Sequence, residues 1–358
     1  MNILLVRLRQ IGDVIFTTPA VRALRRAFPD ARLTYLVEPA AAPVVQCNPH
    51  LDSVLIAPLS TGIRRLTDDF HMMRALRRGG FDVAIDFHGG PRAAQLTWLS
   101  GAAKRIGYTV PGRGWIYTHR VPRARELRPR HSVRNQWDLL APLGIGREPD
   151  PCRDATEMPP DREAAERVRL LLGAAGVQPG APLIVVHVSA GNRFRRWPAD
   201  AFVGLLERLI TSDPTRSVIL TAGPSDRLAA GAVADRTRQR LGQQGRRILA
   251  IRELDLLELH AAIARAALFV GGDSGPLHLA STTTTPVVAL FGPTLAARSA
   301  PWRDPRHVTE LIEPGPLPCR PCDQRQCAPG DFRCLTWLSV EQVAAAAERA
   351  LTGAHLAA

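Results

Sequence analysis

Short apolar runs recur along the chain, and stretches with helical spacing separate them. Ile3 to Val6, Leu33 to Val37, Val54 to Ile56 and Val83 to Phe87 read as strands in the first part of the chain. Leu183 to Val188, Val218 to Thr221, Ile248 to Ile251, Ala267 to Val270 and Val287 to Leu290 do so in the second. Between them Val21, Leu24 and Phe28 share one helical face behind Pro19, and Leu256, Leu259 and Ile263 mark a helix over about Leu254 to Ala266. Further helices are predicted from His131 to near Gly144, from Asp161 to Leu172, and from a cap-like Ser339-Val340-Glu341-Gln342 to about Leu351. Strands that alternate with helices predict an α/β protein built on doubly wound parallel sheets.

A chain of 358 residues is long for one core and comfortable for two. The Pro- and charge-rich stretch from Gly146 to Pro160 reads as the linker. We therefore expect an N-terminal domain over 1–155, a C-terminal domain over 156–335, and a last helix over 336–358 that is free to return toward the first domain.

Composition narrows the partners. No run approaches the length of a membrane span, and the start lacks a basic n-region and a small-residue cleavage site, so a cytoplasmic protein is expected. The net charge is +13, and Lys104 is the single lysine in an arginine-dominated set. Such an excess favours an anionic partner. Aromatic residues are only 5% and no nucleic-acid module is present, which argues against nucleic acid and for an acidic glycan or a membrane surface.

The strongest chemical signal is Gly271-Gly272-Asp273-Ser274-Gly275-Pro276-Leu277-His278, followed one strand later by Phe291-Gly292-Pro293-Thr294. Strand, glycine turn and helix start together present backbone N–H groups that suit a phosphate. Asp273 would repel that anion, so it is better matched to sugar hydroxyls, with His278 able to serve either group. Near the N-terminus, Gly12 would allow close approach, while Asp13 either caps a helix or projects toward a ligand at the end of the first strand. Ser189 to Pro198 holds Arg193, Arg195 and Arg196, any of which could grip a diphosphate. Asp226, after another strand, could frame a nucleoside or cap a helix. Cys319, Cys322, Cys327 and Cys334 form a Cys-x2-Cys-x4-Cys-x6-Cys run, open to a structural zinc or iron. The first loop lacks Gly-x-Gly-x-x-Gly, which speaks against a dinucleotide oxidoreductase.

The Asp273 and Phe291-Gly292-Pro293-Thr294 segments resemble the donor-site signature of the ADP-heptose:lipopolysaccharide heptosyltransferases, glycosyltransferase family 9, and the likeness runs over almost the whole chain. It implies the GT-B architecture, two Rossmann-like domains facing a central cleft. It also implies inverting transfer of heptose from ADP-heptose to lipopolysaccharide inner core of the Kdo-lipid A type, with no cofactor required. Asp13 matches the proposed general base. Arg195 stands where the family usually has a lysine before Trp-Pro, facing the donor phosphates. Gly12, Asp226, Asp273, Ser274, Gly275 and His278 would complete the donor site. Basic loops of the first domain, among them Arg64, Arg65 and Arg120, would meet the acidic acceptor, with the protein resting against the cytoplasmic face of the inner membrane. The donor motifs fit equally a transferase of this fold that glycosylates a protein or another surface polysaccharide. A non-catalytic nucleotide-sugar binder is the remoter alternative.

Overall fold

The computed structural model describes residues 1–59, 62–123, 130–188, 192–249, 251 and 253–357, with the side chains of 63–66 and 354–357 outside that description. It divides into two compact units, Met1–Pro159 and Pro160–Ala358. The first unit runs β1 (Asn2–Val6), α1 (Ile11–Ile15), α2 (Thr18–Ala27), β2 (Arg32–Val37), β3 (Ser53–Ile56), α3 (Ile63–Arg78), β4 (Val83–Asp86), α4 (Pro91–Leu99), β5 (Lys104–Tyr108), β6 (His119–Val121) and α5 (Ser132–Trp137). The second runs α6 (Arg162–Ala174), β7 (Leu183–His187), α7 (Ala199–Ser212), β8 (Ser217–Thr221), α8 (Arg227–Leu241), β9 (Ile248–Leu249), α9 (Leu256–Arg265), β10 (Leu268–Gly272), α10 (Gly275–Ala280), β11 (Val287–Leu290), α11 (Ala296–Ser299), β12 (Thr309–Ile312), α12 (Arg333–Thr336) and α13 (Val340–Ala357).

Among the described residues each unit holds one six-stranded sheet, in the orders β3-β2-β1-β4-β5-β6 and β12-β11-β10-β7-β8-β9. All the pairings are parallel. Both orders reverse at their centre, between β1 and β4 and between β7 and β10, which is where open α/β sheets take ligands. The central strands are apolar because helices cover both faces: Ile3 to Val6 and Leu268 to Val270 are wholly buried.

The helix expected around Val21 is α2, with Pro19 in its first turn, and a short helix, α1, precedes it. α1 stops after five residues, and Thr17 turns the chain by donating its hydroxyl to the Val14 carbonyl at 2.7 Å. The last helix packs on α7, β10, β11 and β12 of the second unit. Its Val343, Ala346, Ala347 and Ala350 are fully buried, and their small side chains let the helix lie close to the sheet.

Candidate active site

The first unit gathers its chemistry at the β1/β4 switch point. Asp13 is the third residue of α1 rather than its cap, since the N-cap position is Gln10 and no side chain caps that end. Its carboxylate is ion-paired with Arg7 and remains 39% exposed. Arg7 is itself buried and donates through Nη1 to the Phe87 carbonyl at 2.8 Å, so the cation that orients Asp13 is fixed to the end of β4. Gly12 is buried beneath it. Asp86 lies in the core and accepts from Tyr117 Oη at 2.6 Å and from the His88 and Gly89 N–H groups at 2.8 and 2.9 Å. Burial raises the Asp86 carboxyl above its ordinary range, against those hydrogen bonds. Burial and the Arg7 charge push the His88 imidazole down to about 4, with Asp13 pulling the other way. His88 is therefore a neutral ring beside Asp13 at pH 7. The sequence reading passed over it because His-Gly-Gly after a strand looks like an ordinary turn.

The second unit builds a matching group at the β7/β10 switch point. Asp273 follows β10 and is only 4% exposed. Arg195 Nη1 donates to its Oδ2 and to its main-chain oxygen, each at 3.2 Å, and His278 Nε2 stands 3.4 Å from its Oδ1. Burial alone would raise the Asp273 carboxyl. The His278 hydrogen bond and charge, followed by the Arg195 cation, outweigh that and hold it below the usual carboxylate range. The bare Gly272 lets the Arg195 main chain lie close against this turn, since a Cβ there would come 3.3 Å from the Arg195 carbonyl. Ser274 is the N-cap of α10, and Gly275 opens the helix. That helix has six residues, too few for a strong macrodipole, so the cation at this turn is chiefly Arg195.

The Arg195 side chain is held from its far side. Its Nε donates to Gln324 Oε1 at 2.7 Å, and the same oxygen accepts from Asn192 Nδ2 at 3.0 Å. Phe332 backs this contact by packing on Phe194, with ring centroids 5.6 Å apart. Ser189, Ala190 and Gly191 of the same loop lie outside the described residues. Arg196 turns away to form an ion pair with buried Asp226 at 2.6 Å. Asp226 is the N-cap residue of α8 but makes no side-chain cap bond there. Beyond the ends of β8 and β9 lies a cavity of about 400 Å³ lined by Leu220, Thr221, Ala222, Arg227, Ile251 and Leu254, which no sequence motif signalled.

The remaining expectations fall elsewhere. The side chains of Arg64 and Arg65, in the first turn of α3, are outside the described residues. Arg120 is exposed on β6. At the cysteine loop, as elsewhere among the described residues, no three His, Cys, Asp or Glu side chains stand together in a way that could hold an ion. The thiols are free but neighbouring, since burial and then the sulfurs of Cys322, Cys319 and Cys327 push Cys334 up to about 11.

Comparison with known proteins agrees with this picture. The family model described as glycosyltransferase family 9 (heptosyltransferase) matches residues 70–331. Lipopolysaccharide heptosyltransferase 3 of Escherichia coli is 27% identical over 301 residues, covering 81% of this chain and 83% of that protein. The crystal structure of a family 9 glycosyl transferase from Veillonella parvula superposes with a TM-score of 0.79 at 21% identity, over 98% of this chain and 97% of the other. The Escherichia coli heptosyltransferase WaaC, solved with ADP, gives a TM-score of 0.69 at 18% identity over 98% and 100%. The two Rossmann-like parallel-sheet domains are thus of the GT-B kind found in those structures.

Proposed function

The chain belongs to glycosyltransferase family 9, the heptosyltransferases, and from that premise we propose that it transfers heptose from ADP-heptose to lipopolysaccharide inner core, with inversion and without a catalytic metal. The reading is supported by relatives named as lipopolysaccharide heptosyltransferases and by a neighbour solved with ADP. The observation that carries it is the Arg195–Asp273–His278 group, which offers a cation for a diphosphate beside a carboxylate and an imidazole for sugar hydroxyls.

In this mechanism Asp13 accepts the proton of an acceptor hydroxyl as its oxygen attacks the anomeric carbon of the heptose. The bond from that carbon to the phosphate oxygen breaks, and its electron pair leaves with ADP. Arg195, aided by the Ser274 and Gly275 N–H groups, offsets the charge growing on the departing diphosphate. Asp273 and His278 orient the heptose. Gly12 lets the sugar approach the chain, and Asp226 with the neighbouring apolar cavity frames the nucleoside. The acceptor is a Kdo or first-heptose hydroxyl of Kdo-lipid A, met by Arg64, Arg65 and Arg120. Such an acceptor is reached at the cytoplasmic face of the inner membrane. Consistent with peripheral access, no helix among the described residues is long and apolar enough to cross a membrane.

The test is ADP release from ADP-heptose offered Kdo₂-lipid A and its heptosylated product in parallel. Release with one of them identifies the acceptor. Donor binding without release from either would make the chain a binder rather than a transferase for this substrate class.

A further inference from the structure

The first unit exposes two tryptophans side by side. Trp98, at the end of α4, and Trp115, in the short turn Gly114–Ile116, meet edge to face with ring centroids 5.9 Å apart and planes at 71°. They are 44% and 65% exposed, although the rest of α4 buries Ala93, Ala94, Leu96 and Thr97. Large aromatic rings left together in water mark a surface that meets something else.

Arginines stand close to the pair, and two of the three are tied to nearby backbone. Arg77 Nε donates to the Leu99 carbonyl at 2.7 Å. Arg105 donates to the Ile116 and Ala102 carbonyls, each at 2.7 Å. The Arg120 guanidinium lies over Gly114, where a Cβ would be 3.4 Å from its Cζ. Among the described residues none of these three pairs with a carboxylate, whereas Arg22, Arg25, Arg130 and Arg147 of the same unit all do. The bias is local: residues 91–130 contain nine Arg and Lys against one acid, Glu126. Arg92 and Arg130 of that segment pair with acids elsewhere in the unit, but Arg77, Arg105 and Arg120 add their charge with no carboxylate paired to them among the described residues.

We infer that this surface docks the protein on an anionic lipid bilayer, with Trp98 and Trp115 in the headgroup layer and Arg77, Arg105 and Arg120 against lipid phosphates. The chemistry matches on both counts. An indole has an apolar body and one polar N–H, and it settles at the boundary between headgroup and acyl chain. Guanidiniums fixed around it meet a negatively charged leaflet. The inference rests on the reading above in one respect: an acceptor anchored by acyl chains is encountered at a bilayer.

The test uses the full chain and sedimentation with vesicles of phosphatidylcholine, with and without about 30 mol% phosphatidylglycerol. We expect binding to the anionic vesicles alone, weakened at about 0.5 M salt. The Trp98→Ser/Trp115→Ser double variant should lose about tenfold in partitioning, and Trp98→Phe/Trp115→Phe should keep most of it. Both should melt like the parent chain and should turn over ADP-heptose with a deacylated, water-soluble acceptor at its rate. Equal binding to neutral vesicles, no binding to either, undiminished binding by the Ser variant, or a preference for single-stranded RNA over anionic vesicles would each overturn the proposal. Failure of every form to turn over the soluble acceptor would count against the transferase reading instead, leaving the vesicle result to stand by itself.

Discussion

The Gln324 side-chain oxygen lies 2.7 Å from Arg195 Nε and so joins the cysteine-rich loop to the cation beside Asp273. With Gln324 replaced by Ala, Arg195 keeps only its contacts to Asp273 at 3.2 Å. Loss of one hydrogen bond to a charged group is worth roughly 1.5 kcal/mol, or about tenfold. Gln324→Ala should therefore raise KM for ADP-heptose about tenfold while kcat changes little. Arg195→Ala should weaken ADP binding further, and adding Gln324→Ala to it should change nothing more, because the two act through one contact. Calorimetry with ADP and steady-state kinetics on the four forms close the cycle. Additive effects would separate Gln324 from the phosphate site.

That contact also shows where sequence reading stopped. Arg195, Asp273 and His278 were legible because each sits in a short motif at the end of an apolar strand, and local spacing carries that signal. Gln324 lies 129 residues from Arg195, in a loop whose only visible feature was its cysteines. The central strands were legible for a similar reason, since burial on both faces makes them continuously apolar. The edge strands β6 and β12, and β5 next to the edge, were missed because they begin His119-Arg120, Thr309-Glu310 and Lys104-Arg105, polar starts that interrupt the apolar run. Asp13 was visible as an acid after β1, but its partner Arg7 looked like one more arginine in a basic chain.

Asp13→Asn keeps the size and removes the proton acceptor. If Asp13 is the base, kcat should fall by about 10² to 10⁴. Arg7 would remain anchored to Phe87, so the loop should hold its shape and the melting temperature should change little. ADP affinity by calorimetry should equal that of the parent. Wild-type turnover in this variant would remove Asp13 from the reaction.

Acid should destabilise the second unit in two stages. His187 and His260 are each buried, and burial lowers both from 6.5 to about 4. Between those values the unfolded chain binds protons that the folded chain refuses, so stability is intact above about pH 6.5 and falls as pH drops toward 4. At the full extent each imidazole contributes roughly 3 kcal/mol to that loss. Asp273 acts lower down: its folded carboxyl is held below the usual 3.8, so its contribution is present above that value and disappears only as pH falls through the depressed one. Urea midpoints measured from pH 7.5 to 4.5 should decline, and His187→Gln should flatten the slope. A flat profile in the parent chain would show that these rings are not held neutral by burial.

Gly292 has a steric reason to be glycine, independent of any ligand. A Cβ at this position would lie 2.5 Å from Leu335 Cδ2 and 2.7 Å from its Cγ, and Leu335 is buried in α12. The next residue, Pro293, accepts from the Cys322 N–H at 3.3 Å, so movement of α12 is passed to the loop that carries Gln324. Gly292→Ala should destabilise by about 1–3 kcal/mol through overpacking, with a lower denaturant midpoint and an unchanged m-value. Leu335→Ala alone should cost about 2–5 kcal/mol through its cavity. The double variant should be more stable than the sum of the two, because the new methyl occupies space that the leucine vacates. Simple additivity would mean that the main chain at Gly292 yields without touching Leu335, and KM for ADP-heptose should then stay at its parent value.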